Sequence, residues 1–121
     1  MKKILIIDDE ELTLRFLEKV LMEEGYIVYL ALNGEIGLRL FREKPTDLVI
    51  TDIVMPVKDG LKTILELRQI NESVPVIAIS GGGAIAKERY LAVAGYLDNV
   101  RAMAKPFKKS EILKVVRELL H

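Results

Sequence analysis

The chain has 121 residues, half of them apolar and 30% charged, with no cysteine and a formal net charge of zero. A chain of this size and hydrophobicity is expected to form one globular domain that buries roughly two-thirds of its unfolded surface. The missing cysteines exclude disulfides and thiolate metal sites and suit a reducing cytoplasm. Balanced charge argues against a dedicated nucleic-acid binder, and no apolar run approaches the roughly 18 residues of a membrane span.

"KILII" (3–7) reads as a first strand, and "MKKILII" (1–7) is too short for a signal peptide and runs straight into acids. "EELTLRFLEKVLMEEG" (10–25) has a helical period, with Leu12, Phe16, Leu17, Val20 and Leu21 as its apolar face and Gly25 as its stop. "YIVYLAL" (26–32) is strand-like. Asn33 caps a helix "GEIGLRLFREK", which ends before Pro45. "DLVIT" (47–51) is an almost unbroken apolar strand, and "GLKTILELRQI" (60–70) a helix. "VPVIAIS" (74–80) is a strand, 84–97 mostly helix, and "VRAMA" (100–104) a short strand. Ser110 is expected to cap a last helix holding Ile112, Leu113, Val116 and Leu120. His121 is given no role. Five strand–helix pairs imply parallel strands with crossovers, covered on both faces, and no second domain.

In such open α/β sheets the ligand site lies outside the carboxyl ends of the strands. The first strand is followed there by Asp8, Asp9, Glu10 and Glu11, the third by Asp52, the fourth by Ser80 and three glycines, and the fifth by Lys105, Pro106 and Phe107. The second ends in Leu32 and Asn33, which puts it at an edge, off the site. Converging carboxylates repel, and a bound cation relieves them. Oxygen ligands without histidine or cysteine point to magnesium completed by a phosphate. Asp52 then reads as a nucleophile able to hold a phosphoryl group as an acyl phosphate. Lys105 and Ser80 are placed to meet phosphate oxygens, and the Val54 carbonyl to reach the metal. Glu10 and Glu11 suit the positive end of the first helix. Each feature alone has a plainer reading: a helix cap at Asp9 or Asp52, a flexible glycine loop, an ordinary Lys-Pro turn. Their arrival at one edge of one sheet, in this order, favours the functional reading.

These residues together resemble the receiver domain of two-component response regulators over essentially the whole chain. The resemblance rests on Asp8-Asp9, "TDIVMPVKDG" around Asp52, Ser80 and "KPF" at 105–107. It implies a flavodoxin-like, doubly wound five-stranded parallel sheet in order 2-1-3-4-5. It implies that Asp52 accepts a phosphoryl group from the phosphohistidine of a histidine kinase or phosphotransfer protein, and that an output protein reads the result. It also implies that Asp9, Asp52 and the Val54 carbonyl bind Mg2+, with Asp8 acting through water, and that Lys105 and Ser80 contact the phosphoryl group. Two features depart from the family. Ala102 stands where an aromatic switch residue is usual, and the segment from Ser80 to Lys105 is a few residues longer. Val54 and Gly82 occupy the positions that tune phosphate lifetime in the family; neither carries a group to orient water, so slow hydrolysis is expected.

Competing functions are weaker. An acid-nucleophile phosphatase would want a second Asp where Val54 stands. Neither phosphate-binding glycine fingerprint follows the first strand, which disfavours a nucleotide-binding module. A receiver-like protein-binding module without phosphorylation is left open by Ala102.

Overall fold

The computed structural model describes residues 1–53, 59–81 and 99–120. The expected helix at 84–97, Tyr90 within it, Val54, the Met55-Pro56 turn, Gly82, Gly83 and His121 lie outside the described residues. In chain order the elements are β1 (Lys3–Ile7), α1 (Glu11–Glu23), β2 (Ile27–Ala31), α2 (Gly34–Glu43), β3 (Leu48–Asp52), α3 (Gly60–Ile70), β4 (Val76–Ser80), β5 (Val100–Ala104) and α4 (Lys109–Leu120). All five strands pair in parallel in the order β2-β1-β3-β4-β5. The edge position of β2 and the whole order agree with the sequence reading.

Side chains alternate across each strand, so the apolar strands feed two cores. On one face Ile4, Ile6, Ile50 and Ile77 pack with Leu17 and Leu21 of α1 and Val116 of α4. On the other, Leu5, Ile7, Val49 and Val76 pack with Phe41 of α2 and Ile64 of α3. Both cores are almost free of solvent, which leaves function to the strand ends.

Local chemistry sets the helix boundaries. Asn33 Oδ1 accepts from the Ile36 N–H at 2.9 Å, capping α2 as expected. Gly25 ends α1 at φ +90°, with its N–H on the Met22 carbonyl and that of Tyr26 on the Leu21 carbonyl, a Schellman closure. Two expectations are corrected. Ser110 does not cap α4. Glu111 Oε1 accepts from the Lys108 N–H at 3.0 Å, so the helix opens before Ser110 and takes it into its first turn. The buried stripe of α1 is Leu14, Leu17, Val20 and Leu21, whereas Leu12 is 83% and Phe16 40% exposed. Two overlapping apolar stripes share this helix, and the turn out of β1 rotates Leu14, not Leu12, onto the sheet. The strands also shift by a residue or two at their ends: Asp52 is the last residue of β3, and β4 begins after Pro75.

Candidate functional site

β1 and β3 are neighbours, with Ile7 opposite Thr51. The next residue of each, Asp8 and Asp52, therefore emerges side by side at the carboxyl edge, where the strand order reverses. Both are buried, and Asp9 is exposed. Carboxylate oxygens of the three lie within 4.8 Å of one another. Asp8 is fixed by its own turn: Oδ1 accepts from the Glu10 N–H at 2.8 Å. Its Oδ2 is buried without a well-directed hydrogen bond and faces the shared space between the acids. An all-oxygen donor set that includes a buried carboxylate oxygen fits a hard divalent cation.

Lys105 enters from the far side of the sheet. Ser80 pairs with Ala104 on β5, and the Lys105 N–H donates to the Ser80 carbonyl at 2.8 Å, which carries the ladder one step past the strand end. The side chain then reaches back over β4. Its Nζ stands 3.2 Å from Asp8 Oδ2, 3.2 Å from Glu10 Oε1 and 3.3 Å from Asp52 Oδ2. Ser80 ends β4 at the same edge, beyond Ile79, the register partner of Asp52.

Gly60 closes the structure behind Asp52. Its N–H donates to the Ile53 carbonyl at 2.7 Å. A Cβ at this position would collide with the Asp52 carbonyl and lie 2.6 Å from the Ile53 Cα. Asp59 caps α3 by accepting from the Leu61 N–H at 2.8 Å. The Asp-Gly pair is therefore a helix start pressed against the end of β3.

The electrostatics follow from burial and proximity. Burial pushes the Asp8 carboxyl above its usual range; the hydrogen bond from Glu10 opposes this, the Asp52 charge adds to it, and Lys105 opposes it. Burial alone would lower the Lys105 pKa, but the Asp52 and Asp8 carboxylates outweigh it and hold the ammonium above its ordinary value. The Thr13 hydroxyl and then Lys105 hold the Glu10 carboxyl below its usual range.

The structure thus brings together Asp8, Asp9, Asp52 and Lys105, with Ser80 at the same edge; Val54 lies outside the described residues. Two participants escape the sequence reading. In the sequence Gly60 reads only as the first residue of a helix, at the end of the motif around Asp52. Glu10 looked like a helix-dipole residue, yet it touches Lys105; the one local signal was Thr13, three positions on and able to orient it. Glu11 points away and pairs with Arg15 at 3.7 Å. Beside Lys105 an open groove of about 480 Å³ is lined by Glu10, Thr13, Phe16 and Phe107, the two rings 6.0 Å apart between centroids.

A doubly wound sheet with three acids and a lysine at its switch point is the frame of a signalling phosphoacceptor. The response regulator receiver domain family matches residues 4–117, and the chain belongs to that family. It is 29% identical over 119 residues to the chemotaxis protein CheY of Halobacterium salinarum, covering 98% of this chain and 97% of that protein. It is 36% identical over 121 residues to the transcriptional regulatory protein CusR of Escherichia coli, covering 98% of this chain but only 51% of that longer protein. Among solved structures it is similar to the response regulator protein TrrA of Thermotoga maritima in complex with Mg2+-BeF, with a TM-score of 0.85 and 33% identity, over 99% of this chain and 100% of that one. The chain is a receiver domain of two-component signalling, a regulatory phosphoacceptor and not a turnover enzyme. Its acidic triad is of the kind that forms the receiver magnesium site, and receivers are served in general by histidine kinases. Among the described residues, no helix is long and apolar enough to cross a membrane.

Proposed function

We propose that Asp52 is the phosphoacceptor, that Asp8, Asp9 and Asp52 with the Val54 carbonyl hold Mg2+, and that Lys105 and Ser80 meet the phosphoryl oxygens. The observation that carries this reading is the convergence of Lys105 Nζ, 3.3 Å from Asp52 Oδ2, with three carboxylates whose oxygens lie within 4.8 Å. Asp52 is held at a strand end by Gly60 behind it and by the β4 backbone beside it, so its carboxylate is positioned before any donor arrives. Its oxygen forms the new O–P bond as the N–P bond of a kinase phosphohistidine breaks, and the imidazole keeps that bond's electron pair. Lys105 offsets the charge that builds on the phosphoryl oxygens, and the Ser80 hydroxyl donates to one of them. Mg2+, when bound, neutralises the acids and the incoming phosphoryl group. Residues 1–121 are read as one receiver domain working in the cytoplasm, with a histidine kinase or phosphotransfer protein upstream and an output protein downstream.

Ala102, exposed on β5, has no ring to bury. Any switch in this chain therefore runs through Ser80 and the glycines after it, not through an aromatic flip. The test of the phosphoacceptor is intact mass after incubation with acetyl phosphate and magnesium. One added phosphoryl group is expected on wild type and none on Asp52→Asn; equal labelling of both overturns the assignment to Asp52, and no labelling of either leaves a protein-binding module.

A further inference from the structure

We infer that Glu10 is a positioning residue that holds Lys105 in a resting place and so sets how strongly the site takes up a phosphoryl group. This inference rests on the reading of Asp52 and Lys105 above. Lys105 has three acidic neighbours at nearly one distance, 3.2 to 3.3 Å. Two of them, Asp8 and Asp52, belong to the acidic cluster suited to the metal, and Glu10 does not. A divalent ion on that cluster takes up the negative charge of Asp8 and Asp52 and repels the ammonium. Glu10 is then the neighbour left to hold it.

The carboxylate is itself held for this. Glu10 Oε1 accepts from the Thr13 hydroxyl at 2.6 Å, and the same oxygen faces Lys105 Nζ. Thr13 sits one turn into α1, on the element that Asp8 anchors through the Glu10 N–H. Glu10 is thus fixed at its backbone by one site acid and at its carboxylate by a helix residue. It stands at the mouth of the site, with its side chain 60% exposed, while Lys105 is 19% exposed. An arriving phosphoryl group and Glu10 compete for the same ammonium. Lys105 has three N–H donors on a flexible stem and can swing from one to the other without moving the backbone.

Glu10→Gln should therefore tighten the binding of beryllofluoride, a phosphoryl mimic, at saturating magnesium. Glu10 is largely solvent-exposed, so about a two- to fivefold change is expected. Simple removal of a negative charge would act in the same direction, and the background variant Lys105→Met separates the two. If Glu10 acts through Lys105, Glu10→Gln has no effect in the Lys105→Met protein. Glu11→Gln, which removes the same charge one residue away, should leave wild-type affinity unchanged. Titration of beryllofluoride into wild type, the three single variants and the double variant, read by 19F NMR or calorimetry, provides the comparison. Equal affinity of wild type and Glu10→Gln, or an equal gain in both backgrounds, overturns the positioning role while leaving Asp52 as the acceptor. Absence of beryllofluoride binding to wild type overturns the acceptor reading itself, and the role of Glu10 with it.

Discussion

Asp8 shows what a single site residue costs the fold. Its carboxyl is buried, and burial raises its pKa above the ordinary carboxylate range. A group that binds its proton more tightly in the folded chain favours folding while protonated, below its unfolded pKa, and that contribution is lost as pH rises through the folded value. At neutral pH the ionised Asp8 is therefore a liability when no metal is bound. Asp8→Asn should stabilise the metal-free protein by about 1 kcal/mol at pH 7, and the gain should shrink as pH falls toward 4. The asparagine Oδ1 can still accept from the Glu10 N–H, so the turn survives. Urea unfolding at the two pH values checks both the size and the direction. Gly60 is the opposite case, a residue without chemistry whose absence of a Cβ holds the site together. A Cβ would strike the Asp52 carbonyl. Backbone on both sides leaves little room to yield, so Gly60→Ala should destabilise by about 2 kcal/mol or more and lower the rate of labelling at Asp52, as unfolding and intact-mass kinetics would show.

At the level of the element, α1 carries two apolar stripes with different fates. Leu17 is fully buried against β1 and β3, while Leu12 and Phe16 flank the groove that ends at Phe107. Leu17→Ala should destabilise by about 2–5 kcal/mol, the usual cost of a core cavity. Leu12→Ser should change stability by less than about 0.5 kcal/mol, since it removes little buried area. Thermal or urea unfolding of the two variants separates the stripes; a large loss from Leu12→Ser would mean that the helix is rotated from the orientation described. α4 teaches a related lesson. Its start is closed by Glu111 reaching back to Lys108, so the residue with the best capping propensity, Ser110, is not the cap.

For the whole molecule, the proposed metal site links function to stability. Three acids on two adjacent strand ends repel across the topological switch point, and Lys105 compensates part of that charge. A ligand that binds the folded chain alone stabilises it by mass action, by about 1.4 kcal/mol at ten times its dissociation constant. Magnesium should therefore raise the melting temperature of wild type by a few degrees. Asp9→Ala should abolish most of that rise without lowering the melting temperature in its absence, because Asp9 is exposed. An equal magnesium response in both proteins would place the ion elsewhere.

The alternation of apolar strands with helical periods was readable in the residues because it is local, and it determined the doubly wound sheet and the edge position of β2. The strand-end positions of Asp8, Asp9, Asp52, Ser80 and Lys105 followed from the same alternation, since chemistry in such sheets gathers at one edge. What the residues could not say by themselves depends on how elements are turned against one another. Two stripes on α1 satisfy the same period, and only packing on the sheet chose Leu14 over Leu12. The need for glycine at 60 arises from the carbonyl of Asp52, eight positions earlier but in contact once α3 folds back. The contact of Glu10 with Lys105 spans 95 positions. No local pattern encodes it, because it exists only where the β1 turn and the end of β5 come to the same edge of the sheet.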